Sequence, residues 1–309
     1  MIRDQEHKMP ETLSDVVESP EPELVAAGFL FTEGPVWHPD GYLLFVDIGR
    51  AQIIRVEPGG EPEIIRENSG GSNGMTFDLQ GRLIICEGSN RQITRREDDG
   101  SYTPIARSWE GKRLDAVNDL VGRSDGTVYF TNPGGGIDPS DRDIEFNGVF
   151  RITPDGDVRV AATDFEFPNG IAFSPDESIL YVSNTRKWMY IKAFDVQPDG
   201  TLVNGRAFAD MGVDPPEAPG RRPKGVTGSL TGVPDGMKVD VKGRVFCTGP
   251  GGHWVFDKNG NHIGVITMPE LPANCAWGLP DNQTMFFTSR SSVYSVRMRA
   301  PGTRIPRSG

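Results

Sequence analysis

Six times along this chain, a carboxylate or amide side chain stands seven residues ahead of a turn that launches a strand. The six are Glu33 before Asp40-Gly41, Asn73 before Gln80-Gly81, Asn118 before Asp125-Gly126, Asn169 before Asp176-Glu177, Asp235 before Lys242-Gly243, and Asn274 before Asp281-Asn282. Each is followed by a short, mostly apolar run. The units recur about 40 to 65 residues apart, a spacing that fits propeller blades. A unit of that size cannot bury its own core, so the copies must stack on one another. In a closed ring, equivalent positions face the axis, and the six side chains converge. Two carboxylates and four amides meeting at a point make a site for a hard cation.

Within each unit the pattern is strand, turn, strand, turn, strand. The fourth is clearest, with runs at 170–173, 179–183 and 190–196 and turns at 174–177 and Pro198-Asp199-Gly200. The runs are short, β-branched and bounded by Gly, Asp and Pro, as an all-β architecture requires. No long stretch carries helical periodicity. A β-sandwich is the structural competitor, but it gives no reason for one polar residue at the same offset in every unit. The expected fold is therefore an all-β, six-bladed β-propeller. The last unit offers only three strands, while 23–29 precedes the first unit unpaired. Pairing that N-terminal strand onto the last blade would cover an exposed edge and close the ring. This division leaves 1–20 as a flexible N-terminal extension, 21–300 as a single propeller domain and 301–309 as a C-terminal tail. Two segments break the rhythm, 132–147 and 210–232. Long insertions in compact domains are often active-site covers, and the second, with Arg221, Arg222 and Lys224, reads as a candidate substrate lid.

Composition narrows the classes of function. A chain of 309 residues removes roughly 75% of its unfolded surface from water and needs no covalent staples. Cys86, Cys247 and Cys275 are odd in number and scattered, which argues against a disulfide framework and for a reducing compartment. The net charge of −11 repels phosphate backbones, so no nucleic-acid partner is expected. No apolar run approaches a membrane span, and residues 1–20 lack the apolar centre of a secretory signal. The expectation is a cytoplasmic protein acting on a small molecule, with its oligomeric state open.

Several stretches, taken in order, resemble the SMP-30/gluconolactonase family. They are Thr32-Glu33-Gly34-Pro35-Val36-Trp37, Phe45-Val46-Asp47-Ile48, Pro168-Asn169-Gly170-Ile171-Ala172-Phe173, Pro234-Asp235-Gly236-Met237 and Asn274-Cys275-Ala276-Trp277. The resemblance spans about residues 23–298. It implies a six-bladed propeller with one catalytic divalent cation in the central channel. By position, Glu33, Asn169 and Asp235 match the three protein ligands shared across the family. Asn118 matches a position that lies at the metal in some members and contacts substrate or metal-bound water in others. Asn73 and Asn274 complete the ring and are expected to line the pocket as substrate contacts. Family members often carry an Arg two residues before the equivalent of Asn118. Here that place is Ala116, with Arg113 nearby as the candidate substrate contact.

The bland readings compete with these. Asn-Gly and Asp-Gly are ordinary turn dipeptides, and Asn73-Gly74, Asn169-Gly170 and Asp235-Gly236 could each be a bare turn. Six in one register, with Glu33 among them, argue otherwise. Histidine does not recur in the register, which counts against a zinc site built on His or Cys. His253, in Gly251-Gly252-His253-Trp254, is the one histidine that could reach the channel. Cys275 reads as a packed small hydrophobe rather than a nucleophile.

An all-oxygen set favours Ca²⁺ first and Mg²⁺ or Mn²⁺ next, and Zn²⁺ also occupies such sites in this family. A cation of this kind polarises an ester carbonyl, and Asp235, like its family counterpart, is the candidate base for the attacking water. The expected activity is a divalent-metal-dependent lactonase, a carboxylic ester hydrolase opening a sugar lactone. The alternatives are an esterase or organophosphate hydrolase of the same fold, or a non-hydrolytic metal-binding propeller, regulatory or lyase-like.

Overall fold

The computed structural model describes residues 10–186, 188–212 and 232–307. Six four-stranded antiparallel sheets follow one another along the chain. The first blade is Thr32–His38, Tyr42–Asp47, Gln52–Val56 and Glu63–Arg66. The second is Ser72–Phe77, Leu83–Glu87, Gln92–Arg96 and Tyr102–Ala106. Leu120–Gly122, Val128–Asn132, Asn147–Ile152 and Val158–Phe165 make the third. Pro168–Phe173, Ile179–Asn184, Tyr190–Val196 and Leu202–Asp210 make the fourth. The fifth is Met237–Val239, Val245–Gly249, Gly252–Phe256 and His262–Thr267. The sixth takes Pro272–Gly278, Thr284–Ser289 and Ser292–Arg297 from the end of the chain and Glu23–Ala27 from its beginning. Among the described residues, helical structure is limited to the short 3-10 turns Leu13–Asp15, Ile48–Arg50 and Pro139–Asp141. No helix there is long and apolar enough to cross a membrane.

The turns form where aspartates satisfy the backbone. The Asp240 carboxylate accepts from the amides of Lys242 and Arg244, both at 2.9 Å, and Asp257 does the same for Asn259 and Asn261. Such local bonds hold a turn open to solvent while apolar strands pair on either side.

The core is divided by the blades. Six clusters of buried apolar side chains occur, and each draws on two neighbouring sheets. Val36 and Leu44 of the first blade meet Met75 and Ile85 of the second. Leu43 and Phe45 of the first meet Phe286 and Val293 of the sixth, so the ring has no open interface. Cys86, Cys247 and Cys275 are all free and buried within these clusters. Glu23–Ala27 pairs antiparallel with Ser292–Arg297, aligning Glu23 with Ser295 and Ala27 with Ser292.

Parts of both expected tails are held against the ring. Val16 and Val17 are buried against the fifth and sixth blades, and Val17 bridges to Met298. Residues 301–307 cross one mouth of the channel. The amide of Thr303 donates to Val239 O at 3.1 Å, Asn282 Nδ2 donates to Gly302 O at 2.7 Å, and Ile305 packs on the interface between the first two blades. Of the two insertions, 132–147 folds back through Arg142, which donates to Asp115, to Phe146 O and to Asn147. The candidate lid at 210–232 lies, for residues 213–231, outside the described residues.

Candidate metal centre

Glu33, Asn73, Asn169 and Asn274 lie within the innermost strands of their blades, and Asn118 and Asp235 stand just before theirs. Four are strand residues rather than bare turns, and the other two lead directly into their strands. Four of these strands carry a bulge at the register position, between Glu33 and Val36, Ser72 and Met75, Pro168 and Ile171, and Pro272 and Asn274. A bulge re-aims a side chain out of the regular pleat, here toward the axis.

Close contacts then link neighbours around the ring. The glycine after each of four register residues is where the next blade arrives. A Cβ on Gly34 would lie 1.9 Å from Asn73 O, and one on Gly236 would lie 1.9 Å from the Asn274 amide carbon. At Gly34 the backbone is also left-handed, with φ of 52°. Gly74 donates its amide to Asn118 O at 2.9 Å. From the third blade, Thr131 Oγ1 donates to Asn169 O at 2.8 Å, and from the fourth, Ser183 Oγ donates to Asp235 O at 2.8 Å. The circuit closes where Asn274 Nδ2 donates to Glu33 Oε2 at 2.9 Å.

Charge is concentrated at this point. Glu33 is 2% exposed, and its carboxyl is pushed up to about 7 by burial first and by the neighbouring Asp119 second. Burial, then Glu33 and Asp119, push Asp235 well above the usual carboxylate range. Asp119 is raised by burial, and the ammonium of Lys238 is the strongest influence drawing it back down. Removing carboxylates from water without a counter-charge is costly, and the raised proton affinities record that cost.

The donor set fits one. Asn169 Nδ2 donates to Thr185 Oγ1 at 3.0 Å, while its Oδ1 is buried without a hydrogen-bond partner. Asn73 Oδ1 is buried and unpartnered as well. Orphaned amide oxygens beside ionisable carboxyls are the donor types a hard cation takes. Among the described residues no group of three or more His, Cys, Asp and Glu side chains is placed to hold a metal ion. A cation here must therefore draw on amide oxygens as well as carboxylates.

Two expected substrate contacts have protein partners of their own. Asn274 clamps its neighbours: its amide nitrogen reaches Glu33 and, at 3.4 Å, Asp119, while its oxygen accepts from Cys275 N. Arg113 lies exposed on the hairpin Ser108–Trp109 and Lys112–Arg113, and its bonds go to Asp141 O and Asp143 rather than to the register residues. His253 is sealed from solvent against Phe287 of the sixth blade, ring centroids 4.4 Å apart, and burial holds its pKa down at about 3. Two charged residues escaped the register reading, Asp119 and Lys238. A signal for Asp119 existed. Four of the six register residues are followed by glycine, and Asn118 alone is followed by an acid.

Comparison with known proteins matches the architecture. The chain is 31% identical to a gluconolactonase from Zymomonas mobilis over 309 aligned positions, covering 91% of this chain and 82% of that one. It is 28% identical to a pentonolactonase from Haloferax volcanii, covering 83% of this chain and 80% of the relative. A solved gluconolactonase from Xanthomonas campestris superposes with a TM-score of 0.81 at 30% identity, covering 93% of this chain and 92% of that one. The family model described as the SMP-30/gluconolactonase/LRE-like region matches residues 31–291, and the chain belongs to that family.

Proposed function

We propose that this propeller hydrolyses a sugar lactone with the help of one divalent cation held by Glu33, Asn118, Asn169 and Asp235. The observation that carries the reading is the convergence of buried carboxyls and the orphaned Asn169 oxygen at one end of the channel. Relatives named as gluconolactonase and pentonolactonase support the substrate class. When bound, the cation supplies a Lewis acid that polarises the lactone carbonyl. Ca²⁺ suits the all-oxygen set best.

The chain's own residues do the rest. Glu33 keeps one carboxyl oxygen fixed by Gly34 N and Asn274, which orients the other. Asp235 is held by its backbone, with its amide donating to Thr248 Oγ1 at 2.7 Å and its carbonyl accepting from Ser183. Its carboxylate is the group in the ring that takes a proton from the attacking water. The water oxygen bonds to the acyl carbon, the ring oxygen leaves and takes up a proton, and the product is an open hydroxy acid. Asn73, beside Glu33 in the ring, offers its amide to substrate hydroxyls.

The test strips the protein of metal with a chelator and follows proton release from gluconolactones and pentonolactones before and after adding cations. Activity should vanish and return. In the reloaded protein, Asp235→Asn should lower turnover by on the order of 10²-fold or more, while cation affinity falls less. Full activity without metal, near-parent turnover in the variant, or cleavage of phosphotriesters in place of lactones would each overturn the reading.

A further inference from the structure

The register residues stand at or just before the starts of the inner strands, which run from there toward the far mouth of the channel. The second strand of each blade returns antiparallel, so the turn that leaves it lies at the register end. In the fourth blade that turn begins at Thr185. Pro168 pairs with Asn184, and the bulge that follows Pro168 takes Asn169 out of the ladder. The turn is firmly held. Asn184 is fully buried, its Oδ1 accepts from Phe167 N at 2.8 Å, and its Nδ2 donates to Arg186 O at 2.8 Å and Trp188 O at 2.7 Å. Thr185 N donates to Phe167 O at 3.0 Å. The backbone of Thr185 is thus fixed, and its hydroxyl meets the Asn169 amide.

That hydroxyl has one hydrogen, and it goes to Pro234 O at 2.6 Å. Toward Asn169 the oxygen can then only accept, and it accepts from Nδ2 at 3.0 Å. Turning the amide over would set Asn169 Oδ1 against Thr185 Oγ1, two acceptors with no hydrogen between them. The nitrogen therefore faces the turn, and Oδ1 is left on the other side, buried and without a partner. The same hydroxyl grips the residue before Asp235. From the fifth blade, Thr248 Oγ1 donates to Val233 O at 3.0 Å, so the approach to Asp235 is held from both blades. The residue after the second strand is Ile48, Gly88, Pro133, Pro250 or Arg290 in the other blades, none with a hydroxyl. Asn73, whose Oδ1 is also orphaned, has only Gly88 in this place. We infer that Thr185 is a positioning residue: by spending its hydrogen on Pro234 it fixes the Asn169 amide with the oxygen free for the cation, and it ties that ligand to the approach of Asp235.

This inference rests on the cation-dependent reading for its effect on binding, and its test separates the two. Calorimetric titration of metal-free protein with Ca²⁺ compares the parent with Thr185→Val, which keeps the shape and loses the hydroxyl, with Thr185→Ala, and with Thr185→Ser, which keeps the hydroxyl. The Val and Ala variants should bind Ca²⁺ on the order of tenfold more weakly, and the Ser variant should stay within about threefold of the parent. A second readout needs no cation. In metal-free, ¹⁵N-labelled protein the side-chain amide signal of Asn169, assigned by its loss in Asn169→Asp, reports the bond directly. Its protons should exchange with solvent on the order of tenfold faster in the Val and Ala variants and at about the parent rate in Ser. Parent-like Ca²⁺ affinity in a folded Val or Ala variant, or a loss in Ser equal to theirs, overturns the positioning role while leaving the cation site standing. If the parent binds no Ca²⁺, the cation reading fails first, and an Asn169 amide signal unchanged in the Val and Ala variants then overturns the role of Thr185 as well.

Discussion

Glu33 shows most plainly what burying this carboxyl cluster costs. Its ordinary pKa of 4.5 rises to about 7, chiefly through burial and then through Asp119. Between those values the folded protein keeps a proton that the unfolded chain gives up, so metal-free stability falls as pH rises through the window. The loss attributable to this group is on the order of 3 kcal/mol once it is fully ionised. His253 works in the opposite direction, since its folded pKa of about 3 removes stability as pH falls below the usual histidine range. Comparing metal-free parent with Glu33→Gln cancels that background. The variant should gain on the parent in urea midpoint as pH goes from about 5 to about 8, and Ca²⁺ should restore the parent alone. A difference that does not change with pH would show that Glu33 is not strained by its burial. Single residues were unevenly legible in the sequence. The six register positions could be read because repetition compares each with five others. Asp119 and Lys238 occur once each, and a register that tracks one offset per unit passes over a charge at the next offset.

The inner strand is the element that converts sequence into site, and glycine is what lets the strands approach. Asn-Gly and Asp-Gly pairs read locally as turns, since that is their commonest use. Here Gly236 serves a different purpose, because the Asn274 side chain occupies the space its Cβ would need. No local rule reports a neighbour that arrives from another blade, so the sequence shows the glycine and not its reason. Gly236→Ala should cost about 2–3 kcal/mol of stability by overpacking and push the Asn274 amide off Glu33, weakening cation binding as well. The control is Gly41→Ala, at a turn with φ of 93° and open space around it, where only backbone strain of roughly 1 kcal/mol applies and the site is untouched. Thermal melts and calorimetry on both variants check the contrast. Equal losses, with equal cation affinity, would mean that the inner strands have room to spare. The hairpin at Ser108–Trp109 and Lys112–Arg113 was illegible for a related reason, being two residues to a strand and held by tertiary bonds rather than by pattern.

At the scale of the whole molecule, six interfaces each need both of their blades, so the ring gains its stability by closing. Repetition and the missing fourth strand made the propeller legible. The hold on the C-terminal end was not, because residues 301–307 carry no β pattern and are fixed by individual contacts. Gly302 lies flat on the Trp277 indole, where a Cβ would come within 1.9 Å of the ring, and Asp240 bridges to it from the fifth blade. Thr303 and Ile305 carry the segment on across the far mouth toward the first two blades. The two ends of the chain therefore make different demands. Removing 1–27 strips the outer strand from the sixth blade and bares Ser292–Arg297 as an unpaired edge, so that protein should aggregate or fail to fold. Removing 301–309 spares every blade strand and takes only Ile305 from the edge of one interface, and the protein should stay folded and monodisperse. Its melting temperature should fall by roughly 3–8 °C, the loss of a few hydrogen bonds and one apolar anchor spread over a large domain. Calorimetry and light scattering on the two truncations decide the matter. If the C-terminal truncation melts with the parent, residues 301–307 rest on the ring without stabilising it; if the N-terminal truncation is a stable monomer, the sixth blade does not need its borrowed strand.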